Sequence, residues 1–304
     1  MAWIPGGVFR MGSDRHYPEE GPAHRLRVSG FWMDRTPVTN RRFAAFVRAT
    51  GYRTVAEQVP DPALYPGADP GMLQPGSLVF RAPGRTGGHG WHFVPGASWH
   101  RPQGEGEIGD DLLDHPVVQV AHADAAAYAA WAGKSLPTEA EWEFAARGGL
   151  EGQEYAWGDE FAPGGRRMAR TWMGNFPVIS AGPDAYGTAA VGGYPANGYG
   201  LVDMIGNVWE WTEDFWTARH PAEAAKPCCI PADPRAGDEE ASLDGHQPGI
   251  RIPRRVLKGG SHLCAPNHCR RYRPAARHPQ MVDSATTHVG FRCVRREAPA
   301  GGRG

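Results

Sequence analysis

Two cysteines, Cys264 and Cys269, stand five residues apart in a run that also carries Ser261, His262, His268, Arg270, Arg271 and Arg273. Thiols act as nucleophiles and soft metal ligands, and in both roles the thiolate is the working form. The nearby arginines favour that form. The spacing is not the Cys-x-x-Cys knuckle of a tetrahedral zinc site, so zinc would need ligands from elsewhere in the chain. Two thiolates alone suit a soft ion of low coordination, and Cu(I) is the usual one. The spacing by itself also allows a structural or incidental thiol pair.

The remaining cysteines read more plainly. Cys293 lies in an apolar, strand-like run and is expected to be a buried small hydrophobe. Cys228 and Cys229 are adjacent in a loop, where a redox or substrate-loop role is the less expected alternative. Of 13 histidines, His89, His92, His100 and His115 sit in loop or turn contexts without metal-ligand spacing.

Around these residues the chain has 304 positions, with 41 glycines and 28 prolines, close to a quarter of the whole. Eleven Trp, nine Tyr and eleven Phe supply core material, so the composition reads as a compact, turn-rich domain and not as disorder. Three helices are expected. One follows Thr39-Asn40 with Phe43, Phe46 and Val47 on one face and Gly51 as its stop. One runs from about Asp124 to Ala132 before Gly133. One begins at Thr138, whose capping box is completed by Glu141, and ends at Gly148-Gly149. Residues 52–115 and 218–254 read as long ordered loops, and 297–304 as a disordered tail. One domain over 1–296 is expected.

The 32 basic and 33 acidic residues leave a formal charge of -1, which gives no electrostatic reason to expect nucleic acid or an anionic membrane as partner. No run is apolar for long enough to cross a bilayer, and the first residues lack the basic head and apolar core of a signal peptide. A cytoplasmic monomer is the expectation.

The segment from Gly259-Gly260-Ser261-His262-Leu263-Cys264 to Cys269, followed by Arg271-Tyr272-Arg273, resembles the active-site segment of formylglycine-generating enzymes. The resemblance extends over almost the whole chain. It takes in Ile4 to Gly12, Pro37-Val38-Thr39-Asn40, His115 to Val118, Leu136 to Glu143, Asn197 to Leu201, Gly206 to Trp211 and Gly290-Phe291-Arg292-Cys293. Most of these blocks are shared with superfamily members that lack the oxidase activity, and the paired cysteines are the discriminating feature.

The resemblance implies a single asymmetric α+β domain with little regular structure, related to C-type lectins. It implies Cu(I) on Cys264 and Cys269, with a substrate cysteine in a Cys-x-Pro-x-Arg context joining as a third thiolate and O2 oxidising its β-carbon. The partner would be a sulfatase or another protein presenting that motif in extended or unfolded form. Ser261 and Trp209 would line the oxygen pocket. His268 stands where the family usually has tyrosine, and its ring could offer a nitrogen or a titrating edge. Asp203, Glu210 and the carbonyls of Gly206 and Val208 would bind Ca2+, whose hard charge suits oxygen ligands. A second Ca2+ would use Thr171, Asp184 and Tyr186, but Arg170 replaces an asparagine of that motif and a cation there opposes a cation.

Two other readings compete. Sulfoxide synthases of ergothioneine biosynthesis share the domain type but hold iron on an HxxxHxE motif, which this chain lacks. A non-catalytic lectin-like binding module is the more serious rival, yet it has no need of two thiols on one loop.

Overall fold

The computed structural model describes residues 1–81, 90–179, 187–221, 230–235 and 237–296. In chain order the elements are β1 (Ala2–Ile4), β2 (Gly7–Met11), β3 (His24–Val28), β4 (Phe31–Met33), α1 (Asn40–Thr50), β5 (Gly76–Arg81) and β6 (Gly90–Pro95). They continue with α2 (His122–Trp131), α3 (Glu139–Arg147), β7 (Trp209–Phe215), β8 (Arg254–Lys258), β9 (Arg277–Met281), β10 (Val289–Gly290) and β11 (Val294–Arg295). Among the described residues, short strands, three short α-helices and long connections make an α+β domain with little regular structure.

The helices form where capping chemistry allows. Thr39 accepts the Arg42 N–H at the start of α1, and Gly51 closes it in the left-handed conformation at φ 69°. Phe43 and Phe46, one turn apart, bury against Tyr128 of α2 and against Phe291. At α3 both arms of the capping box are made, with Glu141 N–H to Thr138 Oγ1 at 3.1 Å and Thr138 N–H to Glu141 Oε2 at 2.7 Å. Helix α2 starts two residues earlier than expected. Asp124 is its third residue and reaches back to the Ala121 N–H at 2.8 Å, so it marks the inside of the first turn.

Within the region expected to be loops, β5 and β6 pair as an antiparallel hairpin ladder from Gly76↔Pro95 to Arg81↔Gly90. The Leu78-Val79-Phe80 run is a strand because Leu78 also bonds the 285–287 segment: its N–H donates to Ala285 O, and its carbonyl accepts from Thr287 N–H. The tail from residue 297 lies outside the described residues.

The sheet that carries the chemistry is four-stranded, in the order β10-β7-β8-β9. Strand β7 runs parallel to β10 and antiparallel to β8, and β8 runs antiparallel to β9. Helix α3 packs on it through charge as well as apolar contact. Lys258 Nζ lies 3.0 Å from Glu143 and 3.4 Å from Glu139, Arg277 reaches Glu139 at 2.8 Å, and Arg147 reaches Glu143 at 2.6 Å. All five are buried. Burial pushes the Glu143 carboxyl up, but Lys258 and Arg147 outweigh that and hold it at about 2. Each charge is buried with its counter-charges, and removing one would strand the others.

Candidate active site

Strand β8 ends at Lys258, and the next two residues turn the chain into the cysteine loop. Gly259 and Gly260 have φ of 94° and 71°. A Cβ on Gly259 would lie 2.8 Å from Met204 O, and one on Gly260 would lie 2.7 Å from Arg271 O. Both the conformation and the closeness require glycine. The second contact brings the two ends of the cysteine loop together.

Beyond the glycines, a tight turn sets Cys264. Its N–H donates to Ser261 O at 3.0 Å, its carbonyl accepts from Trp172 N–H at 3.0 Å, and Ser261 Oγ accepts from Leu263 N–H at 3.2 Å. The chain then passes over exposed Pro266, Asn267 and His268 and returns at Cys269. The two sulfurs end 2.9 Å apart, with Ser261 N–H donating to Cys264 Sγ at 3.4 Å. Cys264 is buried and Cys269 is half-buried, and neither is in a disulfide.

The two thiols differ in acidity. Burial pushes Cys264 up, and its contact with Cys269 pushes it further. The same contact lowers Cys269 to about 7 against the cost of its own burial, helped by the backbone and charge of Arg271. The pair therefore shares one proton near neutrality, with the negative charge on the more accessible sulfur. Arg271 is fixed by Glu19 at 2.6 Å and lies over the Tyr17 ring at 4.0 Å, while Arg273 grips Glu20 through both carboxylate oxygens at 2.7 and 2.5 Å. These acids were not singled out in the sequence, since they lie about 250 positions from their partners. An acidic pair awaiting the Arg270–Arg273 run was the available signal.

Trp209 is buried at the start of β7, its ring stacked on His278 of β9 with centroids 5.7 Å apart. Its segment runs beside the cysteine loop: Gly206 N–H donates to Gly259 O and His262 N–H to Asn207 O, both at 3.0 Å. The His268 ring stacks on Phe176 at 4.2 Å, on the margin of a small apolar cluster of Phe80, Trp172, Leu263 and Ala265. Burial and then Arg271 lower its pKa, so the ring is neutral at pH 7. Cys264, Cys269 and Ser261 thus meet directly, Trp209 stands on the neighbouring strand, and His268 faces an aromatic platform.

The donor set fits Cu(I). Two sulfurs adjoin on one loop, and among the described residues no group of three or more His, Cys, Asp or Glu side chains could hold a metal of higher coordination. The first calcium set fits unevenly. Asp203 is buried at φ 53°, accepts Gly192 N–H at 2.6 Å, and borders a cavity of about 20 Å³, enough for one water-sized occupant. Burial raises its carboxyl, which a cation would reverse. Glu210 differs from the expectation. Both its oxygens accept from Arg292 Nε, at 3.0 and 2.8 Å, and Oε2 also accepts from Trp142 Nε1 at 2.7 Å. A guanidinium already compensates this carboxylate.

The described part of the second calcium set does not fit an ion. Arg170 Nε donates to Gly187 O at 3.0 Å, so its side chain reaches the residue after Tyr186, and Thr171 O accepts from Arg167 at 3.4 Å. Two guanidinium groups in that region oppose a divalent cation. Asp184 and Tyr186 themselves lie outside the described residues, as do Cys228, Cys229 and His89. Cys293 is buried with its thiol pushed up by burial. His115 bonds Thr188 at 2.9 Å, His100 approaches Ser98 at 3.3 Å, and His92 lies in β6.

A turn-rich α+β domain presenting a thiol pair on a glycine-led loop is the class that these features define. The sulfatase-modifying factor enzyme 1-like domain model matches residues 1–297, and the chain belongs to that family. It is 53% identical to the formylglycine-generating enzyme of Mycobacterium tuberculosis, with 96% of each chain covered. It is also 37% identical to a mouse relative named inactive C-alpha-formylglycine-generating enzyme 2, over 97% of this chain and 85% of that one. PvdO from Pseudomonas aeruginosa shares the fold, with a TM-score of 0.59 at 22% identity over 96% of this chain and 92% of PvdO.

Proposed function

We propose that this chain converts the cysteine of a Cys-x-Pro-x-Arg segment in a sulfatase-type protein to Cα-formylglycine, using O2 and a thiol reductant, with Cu(I) held by Cys264 and Cys269. The observation that carries this reading is the thiol pair, two sulfurs 2.9 Å apart on one loop, one cysteine buried and the other half-buried. The names of the relatives support the sulfatase-cysteine part, and the donor chemistry supports the metal. Bound there, Cu(I) would supply the one-electron redox chemistry by which O2 oxidises the β-carbon of a substrate cysteine.

The chain's own residues do the rest. Cys269 loses its proton near neutrality and is the less buried of the two thiols. Cys264 gives up its proton only when a cation offsets its burial, so metal uptake and deprotonation are coupled. The Ser261 N–H orients the Cys264 sulfur. Trp209 and Ser261, both buried, line the side where oxygen would be held and keep bulk water away. The His268–Phe176 stack offers a flat, neutral surface to an extended substrate chain. A structural calcium ion is proposed at Asp203 and the Gly206 and Val208 carbonyls, with Glu210 shared with Arg292.

The test is direct. Copper-loaded protein is incubated with a Cys-x-Pro-x-Arg peptide, O2 and a thiol reductant, and the peptide is weighed by mass spectrometry. Loss of the cysteine sulfur with gain of an aldehyde is expected. An unchanged peptide under these conditions contradicts the reading.

A further inference from the structure

The 187–192 segment lies against three parts of the molecule. Gly187 N–H donates to His262 Nδ1 at 3.0 Å, Thr188 Oγ1 bonds His115 Nδ1 at 2.9 Å, and Gly192 N–H donates to Asp203 Oδ2 at 2.6 Å. Between these, the Asn207 carboxamide holds Ala189 at its N–H and its carbonyl, at 2.9 and 3.0 Å. The segment thus joins the cysteine loop to Asp203 and the 206–207 turn. Burial lowers His262 to about 3, so its Nδ1 keeps the lone pair that accepts the Gly187 N–H.

Arg170 fastens the start of this segment. Its backbone is locked on the 206–207 turn: its carbonyl accepts from Asn207 N–H at 2.8 Å, and a Cβ on Gly206 would lie 2.4 Å from that oxygen. From this root the buried side chain sends Nε to Gly187 O at 3.0 Å. A positive charge bonded to backbone carbonyl oxygen is also how a calcium ion ties loops together. The carbonyl of Thr171, which the resemblance assigns to the second ion, accepts from Arg167 instead. Arg167 is exposed and its contact is 3.4 Å long, so it can swing aside. Arg170 is buried and cannot, and its charge opposes a divalent ion beside it.

We propose that the Arg170 guanidinium replaces the second calcium ion as the cation that ties the 187–192 segment to the 206–207 turn, so that the Gly187 contact with the cysteine loop holds without calcium at that place. Occupancy of an ion site follows the free concentration of the ion. A guanidinium carried on the chain is always present and always charged. Arg170 is a positioning residue, which acts on the loop of Cys264 through Gly187 and His262. The copper readout rests on the function proposed above, and the calcium readouts do not.

The tests use the full chain in an Asp203→Asn background, which removes the first calcium set and keeps an acceptor for Gly192 N–H. With Arg170 in place, melting temperature and Cu(I) affinity should be the same in millimolar calcium and in chelator. Arg170→Asn should melt at least about 2 °C lower in chelator and bind Cu(I) at least about threefold more weakly in a competition titration. Calcium should recover both. Arg170→Lys, which keeps a positive charge, should stay unresponsive to calcium. A calcium response with Arg170 in place, or an Arg170→Asn variant that calcium does not stabilise, overturns the proposal. Should calcium restore the melting temperature while Cu(I) affinity never moves, the substitution stands and its link to the cysteine loop is overturned. If the double variant does not fold, Arg170→Asn alone is prepared in calcium and desalted, and its bound calcium is counted by mass spectrometry. One ion more per chain than in the native protein is expected, and an equal count overturns the proposal. A native protein that binds no Cu(I) contradicts the function proposed above, and the calcium results still decide the role of Arg170.

Discussion

The two sides of the cysteine loop are built differently. Behind Cys264 lie Lys258, Glu139, Glu143, Arg277 and the Arg292–Glu210 pair, fully buried and each compensated by its neighbours. In front, Cys269 follows an exposed turn steadied by Arg271 on Glu19 and Tyr17, a pair about one-fifth exposed. Buried charge gives the rear wall a single arrangement that is costly to disturb. The front combines the partly exposed Arg271–Glu19 pair with the buried Arg273–Glu20 pair, so its ion pairs are less uniformly buried than those of the rear.

The largest effect expected from breaking this contrast comes at the rear. Lys258→Met leaves Glu139 and Glu143 short of a counter-charge and should cost about 3–5 kcal/mol of stability in urea unfolding. A loss under about 1 kcal/mol would mean that the network is not what holds α3 on the sheet.

Acid should destabilise the fold, and the sign follows from the buried groups. Burial lowers His122 and His278 to about 4 and His220 to about 3. Between roughly pH 6.5 and those values the unfolded chain takes up protons that the folded chain refuses, so stability falls as pH falls through that window. Glu143, held at about 2, contributes stability that is present above the unfolded carboxyl value near 4.3 and is lost below it. The melting temperature should therefore drop from about pH 6.5 downward and steepen below about pH 4.5. His278→Gln should flatten the upper limb. A melting temperature flat from pH 7 to 5 would contradict the assignment of neutral buried imidazoles.

Calcium offers a smaller change. Removing an ion bound at 100 times its dissociation constant costs about 2.7 kcal/mol. A chelator should lower the melting temperature of the native protein and leave Asp203→Asn unmoved. Glu210→Gln cannot serve this test, because it also strands the buried Arg292. If chelator changes nothing in the native protein, Asp203 binds no structural ion. The smallest effect belongs to the front, where Arg271→Met should cost no more than about 1 kcal/mol in stability. It should nevertheless raise the Cys269 thiol, read by pH-dependent alkylation, because one of the charges that lower it is gone.

What could be read in advance follows the range of each interaction. The caps of α1 and α3 were legible because Thr39, Gly51, Thr138 and Glu141 act within four residues of their partners. The start of α2 was misplaced because Asp124 caps from inside the helix, and the same carboxylate also serves Tyr52 and Val55. The β5–β6 hairpin escaped notice because its strand-forming run is short and its second partner, at 285–287, is about 200 positions away. Residue type exposed the cysteine pair, but the buried acid–base frame behind it and the Tyr17–Glu20 brace in front are contacts between distant parts of the chain. Arg292 on Glu210 is one such contact, and it altered the reading of a carboxylate that the motif alone had assigned to calcium.

The central claim is that two thiols on one loop hold a soft monovalent ion. A competition titration with Cu(I) and a chromogenic chelator measures this without any turnover. The native protein should take one equivalent of Cu(I), and Cys264→Ser and Cys269→Ser should each lose at least about a hundredfold in affinity while their melting temperatures stay near the native value. Equal affinity in either variant would remove that cysteine from the site, and no competitive binding by the native protein would contradict the account.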